Sequence, residues 1–468
     1  MTFISLPFAC LFIITFILYW QLKSIKARHI VLLIASYTFY AWWNVKLLAL
    51  LVGLTFVSYY LGVLIENSSS NVVKKRLCAV GITVSLVVLG FFKYFNFFRD
   101  AIISVLGLHA TDAINIILPI GISFYTFQAM SYLVDVYRGV IKARKSFVEV
   151  SLYISFFPQL VAGPIVRAKD FLPQLDINHE ITMANVERAI QIFVIGMFKK
   201  CAIADRLAVC VDAVYASPKA YDAPSLICAA LAYSMQIYCD FSGYSDMAIG
   251  VAKFFGYDLR ENFNLPYLSK NPSEFWKRWH ISLSSWLQDY LYIPLGGNRK
   301  GKIRTYINLF LTMLLGGLWH GANWTFVVWG ALHGLALIIH KLWSKAVAGL
   351  PVAKGKNIST ILSMTATTIF ATICWIFFRA QTFETAFSVI RGIFTWQPGV
   401  HYIYVYTVVY GIILLVAHVL IYIKNNGQYK YPVVSFETWK GKFVICFEIM
   451  LIFLLAYGGN TAFVYFQF

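Results

Sequence analysis

His320 is the residue with the clearest chemical potential in this sequence. It stands in Gly316-Gly317-Leu318-Trp319-His320-Gly321-Ala322-Asn323-Trp324, where a histidine and an asparagine lie among glycines and tryptophans. Apolar runs at 303–319 and 325–339 flank this turn, each about long enough to cross a bilayer. An ionisable side chain at membrane depth is costly and by default functional, and imidazole is well matched to general-base work near neutral pH. The plain alternative is a histidine that only hydrogen-bonds a helix end. His280 is the second candidate. Asn271-Pro272-Ser273-Glu274 reads as a helix start, with Asn271 as N-cap, Pro272 at the first helical position and Glu274 reaching back in a capping box. If that helix continues, Trp276, His280, Leu283 and Leu287 share one apolar face, which turns His280 inward while Lys277 and Arg278 leave it.

Two carboxylates come next. Asp240 and Asp246 bracket a polar stretch that interrupts an apolar run, and their six-residue spacing puts them on different helical faces. Supporting contacts or helix-end capping is therefore their expected role, not a paired acid–base site. Asp205-Arg206, after Lys199-Lys200, reads as a local ion pair or a cytoplasmic edge. No Gly-x-Ser-x-Gly elbow occurs, which favours direct base-catalysed transfer over an acyl-enzyme. The eight cysteines are scattered without C-x-x-C or metal-ligand spacing, so no metal site is expected. His333 reads as a satisfied core histidine.

The elements that must position these residues are membrane helices. Of 468 residues, 59% are hydrophobic and only 13% charged, and the mean hydropathy of +0.68 lies outside the range of soluble domains. Lipid offers backbone groups no partners, so long continuous apolar runs must be helices, and a barrel of short alternating strands is disfavoured. The expected fold is all-α integral membrane, a single polytopic domain over 1–468 with about eleven transmembrane helices plus short re-entrant segments. Lys and Arg gather in short connections, so the net charge of +18 reads as positive-inside topology and not as a nucleic-acid surface. Successive basic clusters are separated by even numbers of crossings, which places Met1 outside and the His320 turn away from the cytoplasm. The first run is read as a retained span. Segments 118–124 and 156–164 hold Pro and Gly that break a helix, either lining an internal path or packing as a kink.

Several motifs together resemble the alginate O-acetyltransferase branch of the membrane-bound O-acyltransferases. They are Gln236-Ile237-Tyr238-Cys239-Asp240-Phe241-Ser242-Gly243-Tyr244-Ser245-Asp246, Asn262-Phe263-Asn264-Leu265-Pro266-Tyr267, Phe275-Trp276-Lys277-Arg278-Trp279-His280-Ile281-Ser282-Leu283-Ser284 and the Trp319-His320-Gly321 turn, with support from Leu118-Pro119-Ile120-Gly121, Phe157-Pro158-Gln159-Leu160 and Trp375-Ile376-Phe377-Phe378-Arg379. The resemblance implies a bacterial inner-membrane enzyme pierced by a central funnel or tunnel, with no bound cofactor and with acetyl-CoA as acyl donor from the cytoplasm. It also implies an extracytoplasmic SGNH-type partner and a polysaccharide acceptor. His320 and His280 correspond to its functional histidines, His320 foremost as base, with Asn323, Trp319, Asp240, Asp246 and Ser284 as candidate supporting residues. A related branch transfers D-alanine to teichoic acid. The non-enzymatic alternative is a transport or polysaccharide-export component, for which inverted repeats are expected and none is visible.

Overall fold

A computed structural model describes residues 1–106, 116–346, 356–432, 434–458 and 463. Eighteen α-helices follow in order: α1 Leu6–Gln21, α2 Ile25–Ala41, α3 Val45–Asn67, α4 Asn71–Leu106, α5 Ile122–Tyr137, α6 Phe147–Ser155, α7 Ala168–Phe171, α8 Met183–Met197, α9 Asp205–Ala216, α10 Ala223–Phe254, α11 Pro272–Arg278, α12 Ile281–Leu287, α13 Lys302–His320, α14 Trp324–Ala346, α15 Lys356–Arg379, α16 Phe383–Phe394, α17 Val405–Lys424 and α18 Trp439–Leu455. Among the described residues the only β pairing is one isolated bridge, Tyr221 with Val400. The fold is thus all-helical. Among the described residues five helices are long and apolar enough to cross a membrane: Val45–Asn67, Asn71–Ile103, Trp324–Ala346, Ile358–Arg379 and Val405–Lys424. Their outward faces carry Phe56, Ile339, Ile361 and Ile412, all more than half exposed. Such an apolar exterior suits lipid and not water.

The chain forms two compact units, one of Met1–Phe193 with Ser245–Arg260, the other of Val194–Tyr244 with Glu261–Phe468. In the first, the C-terminal carbonyls of α10, which have no intrahelical donors, accept from α1: Tyr19 Oη donates to Phe255 O at 3.1 Å and Trp20 Nε1 to Phe254 O at 3.2 Å. The broken segments 118–124 and 156–164 meet each other. Gly121 opens α5 with φ +73°, and a Cβ there would lie 2.5 Å from the Leu160 carbonyl oxygen, so only glycine fits. Beyond α6 the chain turns through Phe156 to Gly163, fully enclosed, with the Phe157 N–H donating to Ser36 Oγ at 3.1 Å. Protein partners therefore satisfy this irregular backbone, at a helix end and not at a kink. In the connection after α5, Arg144 grips Asp176 through two bonds of 2.8 and 2.6 Å, and that guanidinium holds the Asp176 carboxyl below its ordinary range.

In the second unit α13 and α14 form a tight hairpin. A Cβ on Gly317 would run into the Phe326 carbonyl, and one on Gly330 would lie 2.5 Å from Met313 O. Glycine on both sides lets the two backbones touch, the usual device of membrane helix pairs. Gly317→Ala is expected to destabilise the protein by about 1–3 kcal/mol through overpacking, read as a lowered Tm in detergent. Gly53→Ala, where a Cβ meets nothing within 4 Å, is the control and should not lower it.

Helix α10 corrects two expectations. The stretch from Asp240 to Asp246 does not interrupt a helix: α10 runs unbroken from Ala223 to Phe254. Neither aspartate caps an end. Asp240 is 1% exposed and takes a 2.6 Å ion pair from Lys200, whose Nζ also lies 2.8 Å from Asp205. Asp205 thus pairs with Lys200 and not with Arg206, whose Nε donates to Leu455 O at 2.7 Å. Lys200 reaches both carboxylates because residues Phe198–Ala204 form a π-helical turn between α8 and α9. Propensity does not signal such a turn.

Candidate active site

The His280 segment begins as the sequence indicates. Asn271 Oδ1 accepts the Glu274 N–H at 2.8 Å, and Glu274 reaches back to the Lys270 N–H at 2.9 Å, one residue before the N-cap. The helix then ends early. α11 stops at Arg278, Trp279 is extended, and His280 takes a left-handed conformation, φ +43° and ψ +55°. The continuous helix expected from the shared apolar face is therefore replaced by two short ones with His280 at their junction. A non-glycine residue in this region costs about 1–3 kcal/mol and persists only where its surroundings over-determine it. Asn262 supplies much of that determination. Its backbone oxygen accepts the Ile281 N–H at 2.9 Å and its side-chain oxygen the Ser282 N–H at 3.2 Å, capping α12 from outside the helix. His280 remains inward-facing, with 0% exposure.

His320 is the last residue of α13. Gly321 must follow, because a Cβ there would enter the Phe326 ring. The imidazole is 4% exposed and enclosed by rings: Trp319 and Trp329 at 5.0 Å and Phe378 at 5.2 Å between centroids. The structure brings both histidines together, His280 to His320 at 6.4 Å between ring centroids. A ring nitrogen lies about 1 Å from its centroid, so the closest nitrogens are about 4 Å or more apart, beyond direct hydrogen bonding. Two imidazoles this close place two potential bases side by side.

The supporting candidates divide. Trp319 is buried and touches both rings, at 5.0 Å from His320 and 6.1 Å from His280. Asn323 shapes the turn, accepting the Thr325 N–H at 3.0 Å and donating to Gln381 O at 2.8 Å. Ser284 Oγ donates to Trp279 O at 3.1 Å, steadying the break before His280. Asp240 acts at one remove: the next residue, Phe241, sets its ring 4.6 Å from His280, edge to face. Asp246 belongs to the first unit. His333 is buried against Trp276, whose Nε1 donates to its Nδ1 at 3.3 Å, as suits a core histidine. Asn262, Phe241 and Phe378 were visible in the sequence only as parts of motifs, since their roles depend on contacts between segments distant in the chain.

A cavity of about 600 Å³ in the second unit is lined among others by Trp276, Lys277, Ile281, Ser284, Met313 and Lys341. Ile281 follows His280 directly, and the two lysines give the cavity a cationic side.

A family model described as MBOAT, membrane-bound O-acyltransferase family, matches residues 72–379. The chain is 44% identical over 407 residues to the probable alginate O-acetylase AlgI of Pseudomonas aeruginosa, covering 85% of this chain and 76% of that protein. It is 40% identical over 387 residues to the peptidoglycan O-acetyltransferase of Helicobacter pylori, covering 77% and 72%. The teichoic acid D-alanyltransferase of Bacillus subtilis is 28% identical over 284 residues, covering 58% and 71%.

Proposed function

The chain belongs to the membrane-bound O-acyltransferase family and is an O-acyltransferase, and on that premise we propose that it moves an acetyl group from cytoplasmic acetyl-CoA across a bacterial inner membrane towards hydroxyls of an extracytoplasmic polysaccharide. The observation that carries this reading is the buried pair His280 and His320, 6.4 Å apart, at the junction of the motif segments. His320 serves as the base that deprotonates the accepting hydroxyl, and His280 assists it. Hydroxyl oxygen then attacks the thioester carbonyl carbon, the C–S bond breaks, and the proton passes from the imidazole to the departing thiolate. The cavity lined by Lys277 and Lys341 takes the donor, its lysines facing the phosphates of coenzyme A. A separate SGNH-type protein receives the acetyl group and completes transfer to the glycan. The chain acts as one polytopic membrane domain with Met1 outside.

Transfer of D-alanine to teichoic acid is the second reading, and the more distant and shorter match to those enzymes ranks it lower. Mass spectrometry of envelope polysaccharides decides the matter. A deletion strain should lose glycan O-acetyl groups and regain them with the gene restored. Unchanged acetylation together with lost D-alanyl esters would establish the second reading instead.

A further inference from the structure

We propose that Asn262 is a positioning residue that fixes the tautomer of His280, making Nε2 the nitrogen through which His280 handles protons. The inference rests on the acyl-transfer reading above and goes beyond it by assigning a residue and an atom.

The geometry determines the hydrogen positions. Asn262 Oδ1 lies 3.2 Å from the Ser282 backbone nitrogen and 2.8 Å from Ser282 Oγ, and 3.1 Å from His280 Nδ1. A backbone N–H only donates, so the amide of Asn262 must present its oxygen to this cluster. The same oxygen can only accept from His280, which places the imidazole proton on Nδ1. In the neutral ring Nε2 then carries the lone pair. The opposite tautomer would turn two acceptors towards each other at 3.1 Å. Asn262 cannot rotate to relieve that contact, because its oxygen also caps the first turn of α12.

During transfer the hydroxyl O–H bond breaks as the oxygen bonds the thioester carbon. Its proton enters the imidazole pair and leaves with the thiolate as the C–S bond breaks. Nε2 of His280 provides the second seat for that proton. The charge of the resulting imidazolium is met at Nδ1–H by the Asn262 oxygen.

The test uses membrane vesicles holding the full chain together with its extracytoplasmic SGNH-type partner, with labelled acetyl-CoA and envelope polysaccharide, and compares three variants. Asn262→Ala is expected to lower kcat about 100-fold while KM for acetyl-CoA stays within about twofold. Asn262→Asp keeps the acceptor and the cap but adds a negative charge beside the ring. It should retain most activity and move the acidic limb of the pH–rate profile upward by about one unit, because the carboxylate favours the imidazolium. An Asn262→Asp profile that superimposes on the wild type overturns the inference, as does an Asn262→Ala protein with wild-type kcat. If Asn262→Ala fails to accumulate, Asn262→Asp alone decides. His320→Ala separates the two levels. Wild-type vesicles that transfer no labelled acetyl overturn the acetyl-transfer reading and an active His320→Ala protein overturns the base assignment, whereas an inactive His320→Ala beside an unshifted Asn262→Asp overturns only the role given to Asn262.

Discussion

His320→Ala is expected to reduce polysaccharide acetylation by about 10²–10⁴-fold, the usual contribution of a positioned acid–base group. The ring sits among Trp319, Trp329 and Phe378 at centroid distances of 5.0–5.2 Å, so truncation also opens a cavity. His320→Gln, which fills much of that space without a base, should lose activity to the same degree while accumulating normally in the membrane. His280→Ala should follow it, and the double variant should be little worse than either single one, because residues acting as a unit are not additive. Additive losses would mean that the two histidines serve separate steps. Undiminished acetylation by His320→Gln at normal protein level would sink the base assignment. KM for acetyl-CoA should change little in these variants, since the cavity lined by Lys277 and Lys341 is left intact.

How far the sequence could be read depended on whether the cause of a feature was local. Helix spans followed from hydropathy. The apolar run at 358–378 became α15, Lys356–Arg379, and the run at 402–423 became α17, Val405–Lys424. Asn271 as an N-cap was equally legible, because capping chemistry acts over three residues. The burial of His280 has a cause that local spacing only partly supplies. The shared face with Trp276 assumes a continuous helix, whereas the chain breaks at Trp279 and Asn262, eighteen residues before His280, caps the second piece. The aspartates failed in the opposite sense. A polar run inside an apolar one resembles an interruption, but α10 continues through it because Lys200 meets Asp240 from another segment. No spacing within one segment encodes such a partner. The approach of His280 to His320 is of the same kind, a meeting of elements forty residues apart.

Lys200→Met should destabilise the protein by about 3–5 kcal/mol, the cost of breaking a buried ion pair by removing one partner. Lys200 is 6% exposed and stands 2.6 Å from Asp240 and 2.8 Å from Asp205, so its loss leaves two carboxylates in one enclosed site without the ammonium between them. Methionine supplies nearly the same volume, which isolates charge from packing. Adding Asp240→Leu should recover part of the stability, since it removes one of the two carboxylates left without the ammonium while Asp205 keeps its share of the penalty. Activity should not recover in step, because Asp240 precedes Phe241, whose ring lies 4.6 Å from His280, and the pair fixes the local position of α10. Thermal unfolding in detergent reads the first effect and acetyl transfer the second. A Lys200→Met protein with wild-type Tm would show that the triad contributes no net stability. A double variant with full activity would show that Phe241 is placed by packing alone.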